Sequence, residues 1–194
     1  MEHKDLRYAK IAKIFQDDSD FSVHDVGAGV GHFYQYLKKH INHKRFTYSI
    51  SEITKEYCDI AKQQYPEIEI QHRDILNEDV NETFDYVVLS GVFHQKGNAK
   101  HKEWIEYIEQ LLAKSYAISK KGIAFNVLSP YADYYNPENF YGNLFEIQSF
   151  IVKRMSRFFK MDHSYPLFEC TFYIYKKDFI SKSYNSQNFQ KYIK

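Results

Sequence analysis

The sequence predicts an α/β fold built on a parallel β-sheet. Three observations predict it. Short apolar stretches alternate with helically spaced ones from residue 21 to residue 128, the pattern of βαβ units. A glycine-rich turn, Gly27-Ala-Gly-Val-Gly31, runs straight from the first strand into a helix. After residue 156 the rhythm changes, and two strands follow each other closely enough to form a hairpin, which adds an antiparallel pair to one edge of the sheet.

Residues 3–16 carry Leu6, Ile11, Ile14 and Phe15 at helical spacing. Asp17-Asp-Ser-Asp20 ends that helix. Phe21-Ser-Val-His-Asp-Val26 reads as the first strand, and Phe33, Leu37 and Ile41 mark the face of the helix after the glycines. Phe46–Ile50 is the second strand, carried on to Glu52. Residues 54–64 form a helix that stops before Pro66, because proline cannot continue one. Ile68–His72 alternates as a third strand, and Phe84–Ser90 is a buried fourth. Residues 101–118 turn Trp104, Ile108, Leu111 and Leu112 inward, and Gly122–Leu128 is the fifth strand. A helix near 137–156 leads to the strands Phe158–His163 and Phe168–Tyr175, divided by Tyr165-Pro166. The expected organisation is one domain over 1–180, with 1–18 as an N-terminal helix. The polar stretch 181–194 is a tail that frays or lies on the surface.

Composition removes several classes. The 194 residues suit one core. No run of eighteen apolar residues exists, so no membrane insertion is expected. Met1-Glu-His-Lys-Asp5 has no apolar stretch behind it, which leaves the cytoplasm as the default address. The net charge of +1 and the lack of a basic run argue against nucleic acid. Lys114, Lys120 and Lys121, then Lys153, Arg154, Arg157 and Lys160, read as solvated faces. Cys58 and Cys170 have no metal spacing and pack as small hydrophobes. The nine histidines, His40/His43 and His94/His101 among them, form no metal motif, so no metal is expected.

The polar residues at the strand ends point to a nucleotide-like ligand. Gly27, Gly29 and Gly31 allow positive φ and close approach of the backbone to that ligand. A glycine loop alone also fits a plain strand–helix turn. Glu52 lies 21 residues past Gly31, near the spacing at which an acid meets a ribose. An acid after a strand is otherwise a helix cap. Arg73-Asp74-Ile75-Leu76 follows the third strand. Asp74 could accept from the exocyclic amine of an adenine and Ile75 cover its ring, the alternative being a turn aspartate.

Taken in order, these segments resemble the class I S-adenosylmethionine-dependent methyltransferases, in particular small bacterial ones. The match runs through Asp25–Gly31, Glu52–Lys62, Arg73–Ile75, Phe84–His94 and Lys120–Phe125, and spans roughly residues 20–176. The resemblance implies a Rossmann-like seven-stranded sheet of order 3-2-1-4-5-7-6, strand 7 antiparallel, with helices on both faces. It implies that Gly27, Gly29 and Gly31 border the methionine and ribose end of the cofactor, with Asp25 holding the amino group through water or the loop. Glu52 would take the ribose, Asp74 and Ile75 the adenine, and Ser90 and Gly91 would offer carbonyls near the sulfonium.

Methyl transfer needs alignment of the acceptor and exclusion of water, and a base only if the acceptor loses a proton in the same step. His94 is the candidate base, against a plain loop or packing role. Tyr134, Tyr135, Asn136, Phe140 and Tyr141 are candidates for a lid or acceptor wall, against an aromatic helix start packed on the sheet. His163 and Tyr165 are weaker candidates. Ser90-Gly-Val-Phe-His94 lacks the Asn/Asp-Pro-Pro-aromatic segment of many nucleobase and glutamine methyltransferases, and no Pro-Cys nucleophile occurs. A small molecule or a glycan precursor, methylated on oxygen, is the expected acceptor. Phe125–Ser129 and Phe168–Lys176 are similar to small methyltransferases of bacterial glycan or natural-product clusters. Two other readings stay open: a non-catalytic cofactor- or partner-binding module, and an NAD-dependent oxidoreductase. Against the latter stands the tight spacing of Gly27-Ala-Gly-Val-Gly31.

Overall fold

The structure, a computed structural model, describes residues 2–193. Met1 and Lys194, the outer ends of the expected domain and tail, lie outside the described residues. Seven strands form one sheet: β1 (Asp20–Val26), β2 (Arg45–Glu52), β3 (Glu69–His72), β4 (Phe84–Leu89), β5 (Ser119–Leu128), β6 (Phe159–Asp162) and β7 (Glu169–Tyr175). Their order is β3-β2-β1-β4-β5-β7-β6. The pairs up to β5 are parallel, whereas β7 runs antiparallel to both β5 and β6. The expected order and antiparallel seventh strand are therefore both present.

The helices are α1 (Glu2–Ile11), α2 (His32–His40), α3 (Lys55–Gln64), α4 (His101–Ala117), α5 (Leu144–Arg154), α6 (Lys177–Ser183) and α7 (Gln187–Gln190). Two apolar clusters cover the two faces of the sheet. One joins Ile108, Leu111 and Leu112 of α4 and Ile147 and Ile151 of α5 to Val87, Leu89, Phe125 and Phe172. The other joins Ile11 of α1, Phe33 and Leu37 of α2 and Cys58 and Ala61 of α3 to Val23, Tyr48, Val88 and Tyr173. Alternate residues of each strand feed alternate clusters, as a period-two side-chain pattern requires. Both cysteines are buried, Cys170 against α4 and α5 and Cys58 on α3.

Four regions differ from the expectation by more than one residue. The first helix gives way at Ile11 to a 3-10 turn over Ala12–Phe15, a common ending for an α-helix. β5 begins at Ser119 and not Gly122, because its first residues pair with Phe84. α5 begins at 144, not near 137: Asn143 caps it, its side chain accepting from the amides of Phe145 and Glu146. The residues before it make a loop instead. The tail is helical over 177–183 and 187–190, with mostly exposed side chains. Among the described residues, no helix is long and apolar enough to cross a membrane.

Candidate functional site

The carboxyl ends of β1, β2, β4 and β5 meet the amino end of antiparallel β7 along one rim of the sheet. Sheet alternation puts Asp25 and Asn126 on the α1 side. Each is two residues from a strand neighbour in that cluster, Val23 and Ala124. Glu169 shares this side with Tyr173. The polar residues of the rim are therefore set by where each strand stops.

The loop after β1 turns through three left-handed glycines, Gly27 (φ 68°), Gly29 (φ 58°) and Gly31 (φ 84°). At Gly27 a Cβ would lie 2.9 Å from Val92 Cγ2, so a side chain there meets the loop after β4. At Gly29 a Cβ would meet nothing within 4 Å. The loop is tied to β2 twice: the Gly27 amide donates to the Ser51 carbonyl and the Gly29 amide to Glu52 Oε2, both across 2.8 Å. The other Glu52 oxygen accepts from the Thr54 amide, 2.8 Å. Glu52 thus holds the helix start and the glycine loop together, combining its two sequence readings.

Asp25 is almost wholly buried. Its Oδ2 accepts from the Tyr48 hydroxyl at 2.5 Å, while Oδ1 has no hydrogen-bond partner among the described residues. Burial pushes its carboxyl up to about 7 against the pull of the Tyr48 hydroxyl, and the Glu52 charge adds to the rise. A buried oxygen without a donor is costly, and this one leaves an acceptor free. Ser90 Oγ, just after β4, is likewise buried without a partner among the described residues.

Two expected adenine contacts look different. Asp74 accepts from the Leu76 amide (2.9 Å) and from the Asn77 side chain (2.7 Å). It is therefore a turn aspartate, with its remaining lone pairs open to a ligand. Ile75 is 2% exposed and packs into the cluster beneath α4, so it supports the site from the core.

His94 lies at the centre of a polar chain that sequence reading missed. The Asn126 side chain donates to His94 Nε2 (2.9 Å) and to Glu169 Oε2 (2.7 Å), and accepts from the Gly91 amide (2.9 Å). Arg7 of α1 donates to both Glu169 oxygens. A Cβ at Gly91 would lie 3.3 Å from Arg7 Nη1, so α1 reaches over the loop after β4. Burial lowers His94 to about 4, with Glu169 opposing and Arg7 assisting. The ring is neutral at neutral pH, and its Nε2 lone pair is already taken. A base role for that nitrogen requires its bond to Asn126 to break. A signal was present, since Asn126 is a polar residue inside the apolar run Gly122–Leu128 and Glu169 is a charged one at the start of a mostly apolar strand.

The loop between β5 and α5 folds back onto His94: the Phe140 amide donates to the His94 carbonyl, 2.8 Å. Tyr134 and Tyr135 are exposed there, 72% and 60%. Tyr141 packs edge-on against Tyr135, and its hydroxyl accepts from the Asn136 amide. Phe140 is different. It is 1% exposed, in the core beside His101, and is not part of an acceptor wall. Tyr165 is buried with its hydroxyl paired to Thr171 Oγ1, and His163 is exposed beside Tyr131. A cavity of about 820 Å³ along α1 and α2, lined by Tyr8, His32, Tyr36 and Tyr65 among others, touches neither Glu52 nor His94.

Residues 24–115 match the family model described as "Methyltransferase domain". The chain is 26% identical over 158 residues to a Mycobacterium tuberculosis protein whose name places it among methyltransferases without stating an acceptor. That match spans 80% of this chain and 93% of the relative. The fold is similar to magnesium protoporphyrin IX methyltransferase from Synechocystis PCC 6803, solved with bound SAM: TM-score 0.64, 12% identity, covering 90% of this chain and 79% of the other. It is also similar to the N-methyltransferase NodS from Bradyrhizobium japonicum WM9, solved with S-adenosyl-L-homocysteine: TM-score 0.63, 11% identity, covering 88% and 85%.

Proposed function

We propose that this chain, which matches a methyltransferase domain model over residues 24–115 and has the sheet order of class I methyltransferases, methylates an oxygen of a small molecule or glycan precursor, using S-adenosylmethionine. The observation that carries the reading is Asp25: a buried carboxylate with one unpartnered oxygen beside a left-handed glycine loop. The donor set fits the cofactor. Asp25 Oδ1 would accept from the methionine ammonium, and the free lone pairs of Glu52 from the ribose hydroxyls. Asp74 would take the adenine amine, Gly29 leaves open space at the loop, and Ser90 and Gly91 would lie at the methyl end. Two structural neighbours bound to SAM or its demethylated product support the same cofactor.

When bound, the cofactor supplies an activated methyl group and a thioether leaving group. The protein orients the acceptor and excludes water, which can contribute several kcal/mol. Arg7 and the loop 134–141 border the loop that carries Gly91 and His94. They are placed to shield it. Tyr134 and Tyr135 give flat faces with one polar tip each, suited to a sugar or an aromatic ring.

The test is thermal shift and titration with S-adenosylmethionine, S-adenosylhomocysteine and NAD, followed by labelled-methyl transfer to a pool of metabolites and glycan precursors. Stabilisation by the first two and label in an O-methyl product are expected. Stabilisation by NAD alone overturns the cofactor. Binding without transfer to any acceptor points to the non-catalytic module. Label on nitrogen or carbon overturns the oxygen acceptor.

A further inference from the structure

We infer that Arg7, Glu169 and Asn126 form a positioning relay that fixes the tautomer of His94, so that the ring offers an N–H donor at Nδ1 to the methyl acceptor. The role toward the acceptor rests on the methyltransferase reading. The tautomer follows from the protein's own hydrogen bonds.

The argument begins at Asn126, whose side-chain oxygen and nitrogen are distinguished by their neighbours. The Gly91 backbone amide can only donate, and it sits 2.9 Å from Asn126 Oδ1. Glu169, held by Arg7 through both oxygens, presents an acceptor 2.7 Å from Asn126 Nδ2. Turning the amide over would set N–H against N–H and oxygen against carboxylate. Asn126 is 0% exposed and Glu169 3%, so water could not relieve either clash. The orientation is therefore fixed from both sides.

One Nδ2 hydrogen goes to Glu169. The second points at His94 Nε2, 2.9 Å away. That nitrogen must offer a lone pair, because a protonated Nε2 would face a donor. In the neutral ring the proton is then on Nδ1. Among the described residues Nδ1 has no hydrogen-bond partner, and it is not among the fully buried unpartnered atoms, so it keeps an exposed edge at which a ligand can bind. Four residues from α1, β5, β7 and the loop after β4 thus end in one free donor.

A donor at Nδ1 selects for an acceptor oxygen that presents a lone pair. A carboxylate or phenolate oxygen suits it. There the C–O bond forms as the C–S bond breaks, the negative charge of the oxygen and the positive charge of the sulfonium cancel, and no proton has to move. His94 orients the acceptor, and the three relay residues orient His94.

The test is long-range ¹H–¹⁵N correlation on the full chain with ¹⁵N-labelled histidine, His94 being assigned from the signals lost in His94→Gln. At neutral pH, protonated Nδ1 and unprotonated Nε2 are expected. Protonated Nε2 in the wild-type chain overturns the relay, and this reading needs no relay variant to fold. In Asn126→Ala both tautomers should appear. Its turnover with a carboxylate or phenolate acceptor should fall about tenfold, the equivalent of one lost hydrogen bond, with cofactor affinity kept within about twofold. A folded Asn126→Ala chain with the wild-type tautomer and turnover also overturns it. The tautomer is read without cofactor or acceptor. The expected tautomer with no methyl transfer therefore overturns the proposed activity and not the relay.

Discussion

The Gly29 amide donates to Glu52 across 2.8 Å, which makes the glycine loop after β1 and the acid at the end of β2 one hydrogen-bonded unit. The same carboxylate accepts from the Thr54 amide at the start of α3. Glu52→Ala leaves both amides without their acceptor. A loss of about 1–3 kcal/mol is expected for such groups, together with weaker cofactor binding. Glu52→Gln keeps one oxygen to accept with and should recover part of both. Urea melts and calorimetric titration of the two variants check this; an alanine variant as stable as the wild type contradicts it.

Gly27 and Gly29 are both left-handed but have different surroundings. At Gly27 an added methyl would lie 2.9 Å from Val92, whereas at Gly29 it would meet nothing within 4 Å. Gly29→Ala should therefore cost only the backbone term, about 1–2 kcal/mol, while its methyl projects into the space proposed for the cofactor. Gly27→Ala should cost more stability, because the loop after β4 must move. Melting the two variants and titrating each with S-adenosylhomocysteine separates the effects. Equal destabilisation would contradict the Val92 contact at Gly27, and unimpaired binding by Gly29→Ala would show that the open space at Gly29 is not the ligand's.

Asp25 should make cofactor affinity depend on pH. Its carboxyl is raised to about 7, chiefly by burial. An ammonium ligand favours the ionised form, so binding must release a proton wherever Asp25 is neutral beforehand. Affinity for S-adenosylhomocysteine is expected to rise from pH 6 to pH 8. Titration in two buffers of different ionisation enthalpy should detect that proton. Asp25→Asn should bind more weakly at pH 8 and lose the dependence. A pH-independent wild type would remove Asp25 from contact with the amino group.

The sheet was legible because burial sets strand composition: Tyr86–Leu89 is apolar since both faces are covered. The cofactor rim was legible for a related reason, since glycines and an acid at strand ends are local features with fixed spacing. Helix starts were less so. The aromatic residues 134–141 match no strand period, and only Asn143 marks where α5 begins. Phe140 and Tyr134 look alike in sequence, yet one is in the core and the other in solvent. The relay joins residues 162 positions apart, Arg7 and Glu169. Nothing local in the chain connects them. What sequence does offer is Asn126 and Glu169 as polar residues in mostly apolar strands, without their partners.

His24 should make the protein sensitive to mild acid. Its ring is buried between the Ser49 hydroxyl (2.7 Å from Nδ1) and the Ser51 hydroxyl (2.9 Å from Nε2), stacked on Phe84. Burial lowers it to about 3, Arg73 pushes it further down and Glu82 opposes. His94 is lowered to about 4. An unfolded histidine titrates near about 6.5. Between about pH 4 and 6.5 the unfolded chain therefore binds two more protons at these sites than the folded one, and stability falls as pH falls. His32, lowered by burial and by Lys4, acts in the same direction. Asp25 acts oppositely: raised to about 7, it holds a proton in the folded state that an unfolded aspartate has lost above about 4. Setting His32 aside, the balance is about one proton, or about 1.4 kcal/mol per pH unit. Asp25→Asn removes the opposing group and should steepen the slope toward two protons. His24→Gln removes one histidine and should flatten it toward zero. Urea melts at half-unit steps from pH 4.5 to 7.5 measure all three slopes. A His24→Gln slope equal to that of the wild type would show that His24 does not stay neutral in the fold.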